Sequence, residues 1–401
     1  MNIGFISKEY GAEMGGVGNS AERISKGLQS LGHQVYLVVL DSSRWITTPE
    51  FADSYHDNGV KVFHIGPYAE SQFPQENMKA IAEGAMEKLK GLLRRRTADQ
   101  IIRIFTEHPV DCLISFDLIS PGIIPVFIGR YFNIPVISGI RGSDVALSLF
   151  RNDTFSIFQT VVDGVQAIAS VNAYLLERML LMFPGAKEKS SVIRNGFSLP
   201  DIPLSRPESR KRILEAARWN DSDLILVFSG VMREAKGLLT IMKLLGMIAS
   251  ENIRLLVVGP DLTGSAAIAM GKHWEAFKSS GQLHVTGQLV HEEVFQWVIG
   301  GDIIFFPSAS EGIANGLLEG MALGLCPVVS DVLAEVVTHE EDGWVVPAND
   351  PVRLRDALLY LNRSRGILPQ LGQKAKETVE EKFNPKVELN AYLSLIRQLV
   401  G

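Results

Sequence analysis

Between Gly301 and Asp331 the chain allows few folds. Ile303–Phe306 and Pro327–Val329 are short apolar runs without polar alternation, the pattern of strands buried on both faces. A loop of small residues and a helix from about Gly316 lie between them. Strand, loop, helix and strand within some thirty residues form a crossover unit, and strands buried on both faces need helices above and below a parallel sheet.

The same unit recurs on either side. Ile3–Ile6 reads as a strand, followed by a glycine turn over Gly11–Gly18. Val17, Ala21, Ile24, Leu28 and Leu31 then recur at helical spacing up to Gly32, and Val35–Leu40 is the next strand. Asp111–Phe116, Pro135–Ile140, Val165–Ser170 and Val192–Phe197 continue this half. Pro200, Pro203 and Pro207 punctuate a polar segment to Arg212, the expected linker. The pattern restarts with Leu224–Ser229, a turn over Gly230–Gly237, a helix through Leu239–Ile248, strands at Leu255–Val258 and His284–Thr286, and a helix at Val294–Val298. A last strand near Val345 precedes helices at Val352–Leu361, Leu368–Lys382 and Lys386–Leu399. The expected fold class is α/β, with two Rossmann-like doubly wound domains over 1–203 and 204–385.

Bulk properties exclude several function classes. A net charge of −6 over 401 residues argues against a general nucleic-acid binder. Cys112 and Cys326 sit in apolar runs, as buried thiols of a reducing compartment do, and no Cys/His cluster has metal-ligand spacing, so no metal is expected. The opening residues lack a basic segment followed by an apolar one, and Ile119–Phe132 is interrupted by Pro121, Pro125 and Arg130. A cytoplasmic protein is expected. Lys79–Arg103 reads as a long helix whose basic run, Lys88–Arg96, either faces solvent or docks anionic lipid or an anionic acceptor.

The chemistry concentrates in the second half. Glu311 and Glu319 flank a loop in which Gly312, Ala314 and Gly316 keep bulky side chains off the amides that a helix start leaves unpaired. Such amides attract anions. Carboxylates beside an anion site suit a ligand with hydroxyls as well as phosphates, as a nucleotide sugar has. Arg233 and Lys236 follow a strand on a glycine-flanked turn, where a long cation reaches a diphosphate. Glu319 is placed to accept from a ribose diol, Glu311 from a sugar hydroxyl, and the amides near Ile313–Gly316 to steady a leaving diphosphate. In the first half, Gly15, Gly16 and Gly18 either make a tight turn or admit a phosphate or sugar to the backbone, since no GxGxxG fingerprint is present. Arg141-Gly142-Ser143-Asp144 follows a strand at the sheet edge where α/β folds place ligands; its Arg and Asp either serve that site or pair with each other.

These residues resemble retaining glycosyltransferases of glycosyltransferase family 4. The resemblance spans nearly the whole chain: Gly15-Gly16, Leu31–Val35, Val192–Gly196, Lys236-Gly237, Gly259, Thr286-Gly287, Pro307-Ser308, Glu311–Glu319 with Asn315, Met321–Gly324 and Glu335. It implies the GT-B architecture, two facing Rossmann-like domains with a cleft between them, and a last helix, 386–401, that packs back on the first domain. It implies transfer of a sugar from a nucleotide-diphosphate donor, a UDP-sugar foremost, to a hydroxyl acceptor with retention. The leaving phosphate then takes the acceptor's proton, and neither a cofactor nor a metal is needed. Glu311, Lys236, Arg233 and Arg141 are the catalytic candidates. Gly16, Gly230, Gly259, Gly312, Ile313, Ala314, Asn315 and Glu319 are the donor-binding ones. Two positions depart from the family: Arg141 stands where it often has His, and Val231 where it has the phosphate-binding arginine, which Arg233 either replaces from two residues later or leaves unreplaced by facing solvent. An arginine is no general base. Sugar-nucleotide epimerisation or hydrolysis, and nucleotide-sugar binding without catalysis, are the alternative readings.

Overall fold

A computed structural model describes residues 1–11, 16–40, 53–65, 97–119, 121–142, 144–200, 203 and 205–401. Lys88–Arg96, Gly15 and Ser143 lie outside these residues, so the basic-helix reading is untouched up to residue 96; a helix does run over 97–107. The chain divides into two units, Met1–Ile193 with Leu389–Gly401, and Arg194–Glu388.

In the first unit the unbroken apolar runs become strands: β1 (Asn2–Ser7), β2 (Gln34–Leu40), β3 (Asp53–Asp57), β4 (Val60–Ile65), β5 (Cys112–Phe116), β6 (Val136–Ile140), β7 (Ala167–Ser170) and β8 (Ser190–Val192). They lie side by side as β3-β4-β2-β1-β5-β6-β7-β8. Every pairing is parallel except β3 with β4, a hairpin closed by Asn58 and Gly59, both at positive φ. Parallel neighbours cannot be joined by a tight turn, so helices Gly16–Ser30, Ile123–Phe132, Asn152–Gly164 and Ala173–Met182 make the crossovers.

One core of this unit gathers Phe5, Leu37, Ile114 and Phe116 from the sheet with Ala21, Ile24 and Leu28 from the first helix. Tyr392, Leu393 and Ile396 of the last helix, Pro385–Val400, complete it. Gly27 allows that approach: a Cβ there would stand 2.5 Å from Leu389 Cδ1.

The second unit carries six parallel strands in the order β11-β10-β9-β12-β13-β14. These are β9 (Leu224–Ser229), β10 (Ile253–Val258), β11 (Leu283–Val285), β12 (Ile303–Phe306), β13 (Cys326–Ser330) and β14 (Trp344–Val346). β9 and β12 at the centre are fully buried, as their composition requires. At the amino end of β12, Arg210 holds both carboxylate oxygens of Asp302 at 3.1 Å, and Asp302 accepts the Ile225 N–H.

Two readings need correction. The strand expected over Val192–Phe197 runs instead over Ser190–Val192, and beyond it Gly196 gives its N–H to the buried Glu388 carboxylate, 2.9 Å, rather than to a neighbouring strand. The linker is shorter than its prolines suggest: a helix starts at Arg206, with Pro207 in the first turn, where a missing N–H costs nothing. The hairpin β3–β4 and helix Gly264–Ser279 were not expected. Among the described residues no helix is long and apolar enough to cross a membrane.

Candidate functional site

The carboxyl ends of β9, β10 and β12 meet in the second unit. β9 ends at Ser229, and Gly230 turns the chain at φ +121°. Gly259, after β10, packs so closely that a Cβ there would lie 2.4 Å from the Gly230 carbonyl oxygen. Its N–H donates to Thr286 Oγ1 beyond β11, 3.1 Å. The approach of these two glycines brings the backbones of the loops after β9 and β10 together.

Beyond Gly230 the chain forms a single helical turn, Glu234–Lys236, closed by Gly237 at φ +85°. The Ala309 and Ser310 N–H groups both donate to the Ala235 carbonyl, at 2.9 and 3.1 Å, and so fasten this turn to the loop after β12. Lys236 Nζ comes to 3.8 Å from Glu311 Oε2 and sits 5.9 Å from the Phe228 ring centroid. Arg233 is exposed, its carbonyl accepting the Lys236 N–H, and Met232 rather than Val231 points into the core.

The loop leads into helix Asn315–Ala322, whose N-cap, Ala314, offers no capping side chain. Gly312, Ile313 and Ala314 are buried, and Gly316 fits because nothing larger would: a Cβ would meet the Ser229 carbonyl at 2.7 Å. Two buried oxygens of this loop, Ser308 Oγ and Glu311 Oε2, have no hydrogen-bond partner, so the site holds unmet bonding capacity. Glu319, in the second turn, is buried and accepts from Ser229 Oγ at 3.2 Å. Burial raises its pKa above the usual carboxylate range, while His291, the Ser229 hydroxyl and Lys236 pull the other way. Glu335 stands 4.0 Å from Arg194.

In the first unit Gly16 opens the first helix and is exposed. The Arg141 guanidinium stacks on Phe116, 3.9 Å from its centroid, and donates to the Tyr392 hydroxyl at 3.3 Å. Gly139 makes room for the stack, since a Cβ would press on Phe116 at 2.8 Å. Asp144 does not pair with that guanidinium on the surface. It is buried and accepts the backbone N–H groups of Gly142, Arg141 and Leu118. Burial, followed by the Asp117 charge, pushes its pKa up to about 6. Asp117 itself holds φ +79° and pairs with Lys8 at 3.3 Å.

Lys236, Glu311, Glu319 and the amides of Ile313–Asn315 therefore share one rim of the second unit, with Gly230 and Gly259 beside them. Ser229, His291 and Asp117 escaped sequence reading. A hydroxyl closing an otherwise apolar strand was the available signal for Ser229; nothing local marks the other two. Among the described residues no three His, Cys, Asp or Glu side chains gather as a metal site.

Residues 223–364 match the family "Glycosyl transferases group 1". Over 230 residues the chain is 25% identical to the putative colanic acid biosynthesis glycosyltransferase WcaL of Escherichia coli, covering 53% of this chain and 52% of that one. The chain spans about half the length, or less, of the first curated relatives it matches. Solved structures similar over the whole length include the following two. Sucrose-phosphate synthase from Thermosynechococcus elongatus has TM-score 0.76 and 17% identity, covering 99% and 98% of the two chains. Anabaena Alr3699/HepE, solved with UDP and glucose, has TM-score 0.75 and 13% identity, covering 100% of both. The fold is GT-B, built of two Rossmann-like domains.

Proposed function

With a second unit that matches the glycosyl transferases group 1 family, we propose that the chain is a retaining glycosyltransferase using a nucleotide-diphosphate sugar, with a UDP-sugar as donor. The observation that carries this reading is the convergence of Lys236, Glu311 and Glu319 on the uncapped start of helix Asn315–Ala322. Lys236 and the amides of Gly312, Ile313, Ala314 and Asn315 take the diphosphate's charge, with Arg233 reaching it from the exposed side of the same turn. Gly230 and Gly259 let the nucleotide lie against the backbone. Glu319 accepts from the ribose and Glu311 from the transferred sugar, which gives the buried Glu311 oxygen a hydrogen-bond partner.

The sugar–phosphate bond breaks as the acceptor hydroxyl attacks the same face, and its proton passes to the departing phosphate oxygen. The protein supplies position and charge, which suffice for a metal-independent reaction. Arg141 belongs to the acceptor side, and Gly16 to the donor. HepE, solved with UDP and glucose, supports the choice of uridine.

Glu319→Gln is expected to weaken nucleoside diphosphate binding about tenfold, or about 1.4 kcal/mol, by calorimetry. Glu311→Gln should leave that affinity intact and slow sugar transfer; equal binding losses in both variants would refute the division of roles. Arg141→Ala should keep donor binding and lose transfer, and normal turnover would remove Arg141 from the site. Incubating the UDP-sugar without acceptor separates transfer from its rivals, because epimer or rapid free-sugar release would favour an epimerase or hydrolase.

A further inference from the structure

Glu319 poses a problem that its position alone does not solve. It lies among Leu317, Leu318, Gly320, Met321 and Ala322, all buried, and is itself 7% exposed. A carboxylate there stays charged only with partners. The groups facing it come from three elements: the Ser229 hydroxyl at the end of β9, Lys236 in the turn beyond, and His291 at the start of helix His291–Val298. Ser229 gives it a hydrogen bond, 3.2 Å to Oε2, and is 6% exposed. The seating of the helix is tight as well. Gly316 rests on Ser229, where a Cβ would meet the Ser229 Cβ at 2.9 Å, and Gly320 rests on Ile304, where one would come to 2.4 Å. These two glycines set how closely the helix approaches Ser229 and Ile304.

We infer that Ser229 is a positioning residue for nucleotide recognition: it fixes one oxygen of Glu319 so that the other is presented to the ribose diol. This rests on the ribose role assigned to Glu319 above. The chemistry is simple. A carboxylate with one oxygen held has a single rotamer to offer, and a diol ligand then meets a preorganised acceptor. The same bond favours the ionised form, which alone accepts from both ribose hydroxyls. Because burial raises the Glu319 pKa, nucleotide binding should fall away on the acid side at a higher pH than an ordinary glutamate would dictate. Removing the Ser229 hydroxyl raises that pKa further and moves the fall-off to still higher pH.

The test is calorimetric titration of the full chain with UDP, ADP and GDP, and with their 2′-deoxy forms, across pH. Ser229→Ala should weaken binding of the accepted ribonucleotide about five- to tenfold. It should also shrink the preference for ribose over 2′-deoxyribose toward that of Glu319→Gln, and shift the acid limb to higher pH. A purely structural serine would move none of the last two. Ser229→Cys, similar in volume with a weaker donor, gives the same readout if the alanine variant does not fold. An unchanged ribose preference and acid limb in Ser229→Ala, beside an altered Glu319→Gln, overturns the role of Ser229 alone. Wild-type ribose preference in Glu319→Gln overturns the ribose assignment beneath it, and the inference with it.

Discussion

Lys236→Ala is expected to lower kcat/KM for sugar transfer by on the order of 10²–10³, the scale of losing one preorganised charge-stabilising donor. The turn that carries Lys236 is closed by Gly237 and held at its middle by the two N–H groups of Ala309 and Ser310 on the Ala235 carbonyl. The ammonium is therefore in place before a ligand arrives, beside Glu311 at 3.8 Å. That distance is longer than a hydrogen bond, which suits a cation that shifts its weight to a diphosphate as charge develops on the leaving group. Lys236→Arg should recover part of the rate, because the charge returns on a wider, planar fork. Steady-state release of nucleoside diphosphate measures both. Since Lys236 and Glu311 are neighbours, Lys236→Ala with Glu311→Gln should lose less than the product of the single losses. A Lys236→Ala enzyme within threefold of wild type would remove Lys236 from the chemistry.

Gly237→Ala should destabilise the second unit by about 3 kcal/mol or more. A left-handed backbone costs a residue with Cβ roughly 1–2 kcal/mol. A methyl group pressed into packed surroundings costs a further ~1–3 kcal/mol. Here the obstacle is backbone: the new Cβ would lie 2.1 Å from the Pro307 carbonyl oxygen. The turn must then lift off the loop after β12, which carries Lys236 away from Glu311. Calorimetric unfolding should show the transition of this unit lowered by roughly 10 °C, together with weaker nucleotide binding. Gly246→Ala is the control. Gly246 lies in helix Leu238–Met247 with nothing within 4 Å of a Cβ, so alanine there should stabilise by roughly 0.5–1 kcal/mol. Equal melting of the two variants would discount the role given to Gly237.

Much of the fold was legible because burial on both faces leaves a plain trace. Ile303–Phe306 and Leu368–Lys382 coincide with the observed strand and helix, and β9 runs over Leu224–Ser229 as read. The hairpin β3–β4 was missed because Asp-Ser-Tyr-His-Asp is too polar to suggest a strand. Its Asn58-Gly59 turn was the usable signal, since both residues hold the positive φ that such hairpins demand. Helix Gly264–Ser279 was missed for another reason. Its Gly264 and Gly271 break the apolar periodicity, and Trp274, 1% exposed with its N–H on Asp261, anchors it through a contact outside the helix.

By itself the sequence determined the parallel sheets, the glycine turns and which segments carry Glu311, Glu319 and Lys236, because strand burial, backbone φ and helix starts are local demands written into neighbouring residues. Only the tertiary structure decided what those side chains meet. It set Lys236 beside Glu311 across some seventy residues of chain, and put Ser229 under Glu319. It also turned Arg141 onto Phe116 and Tyr392 and left Asp144 to the backbone amides. The pairings of the second unit depend on how closely β9, β12 and their loops approach, and that is fixed by glycines such as Gly237, Gly259 and Gly316 packing against distant backbone. Close packing is a property of the assembled sheet, so no stretch of the chain states it in advance.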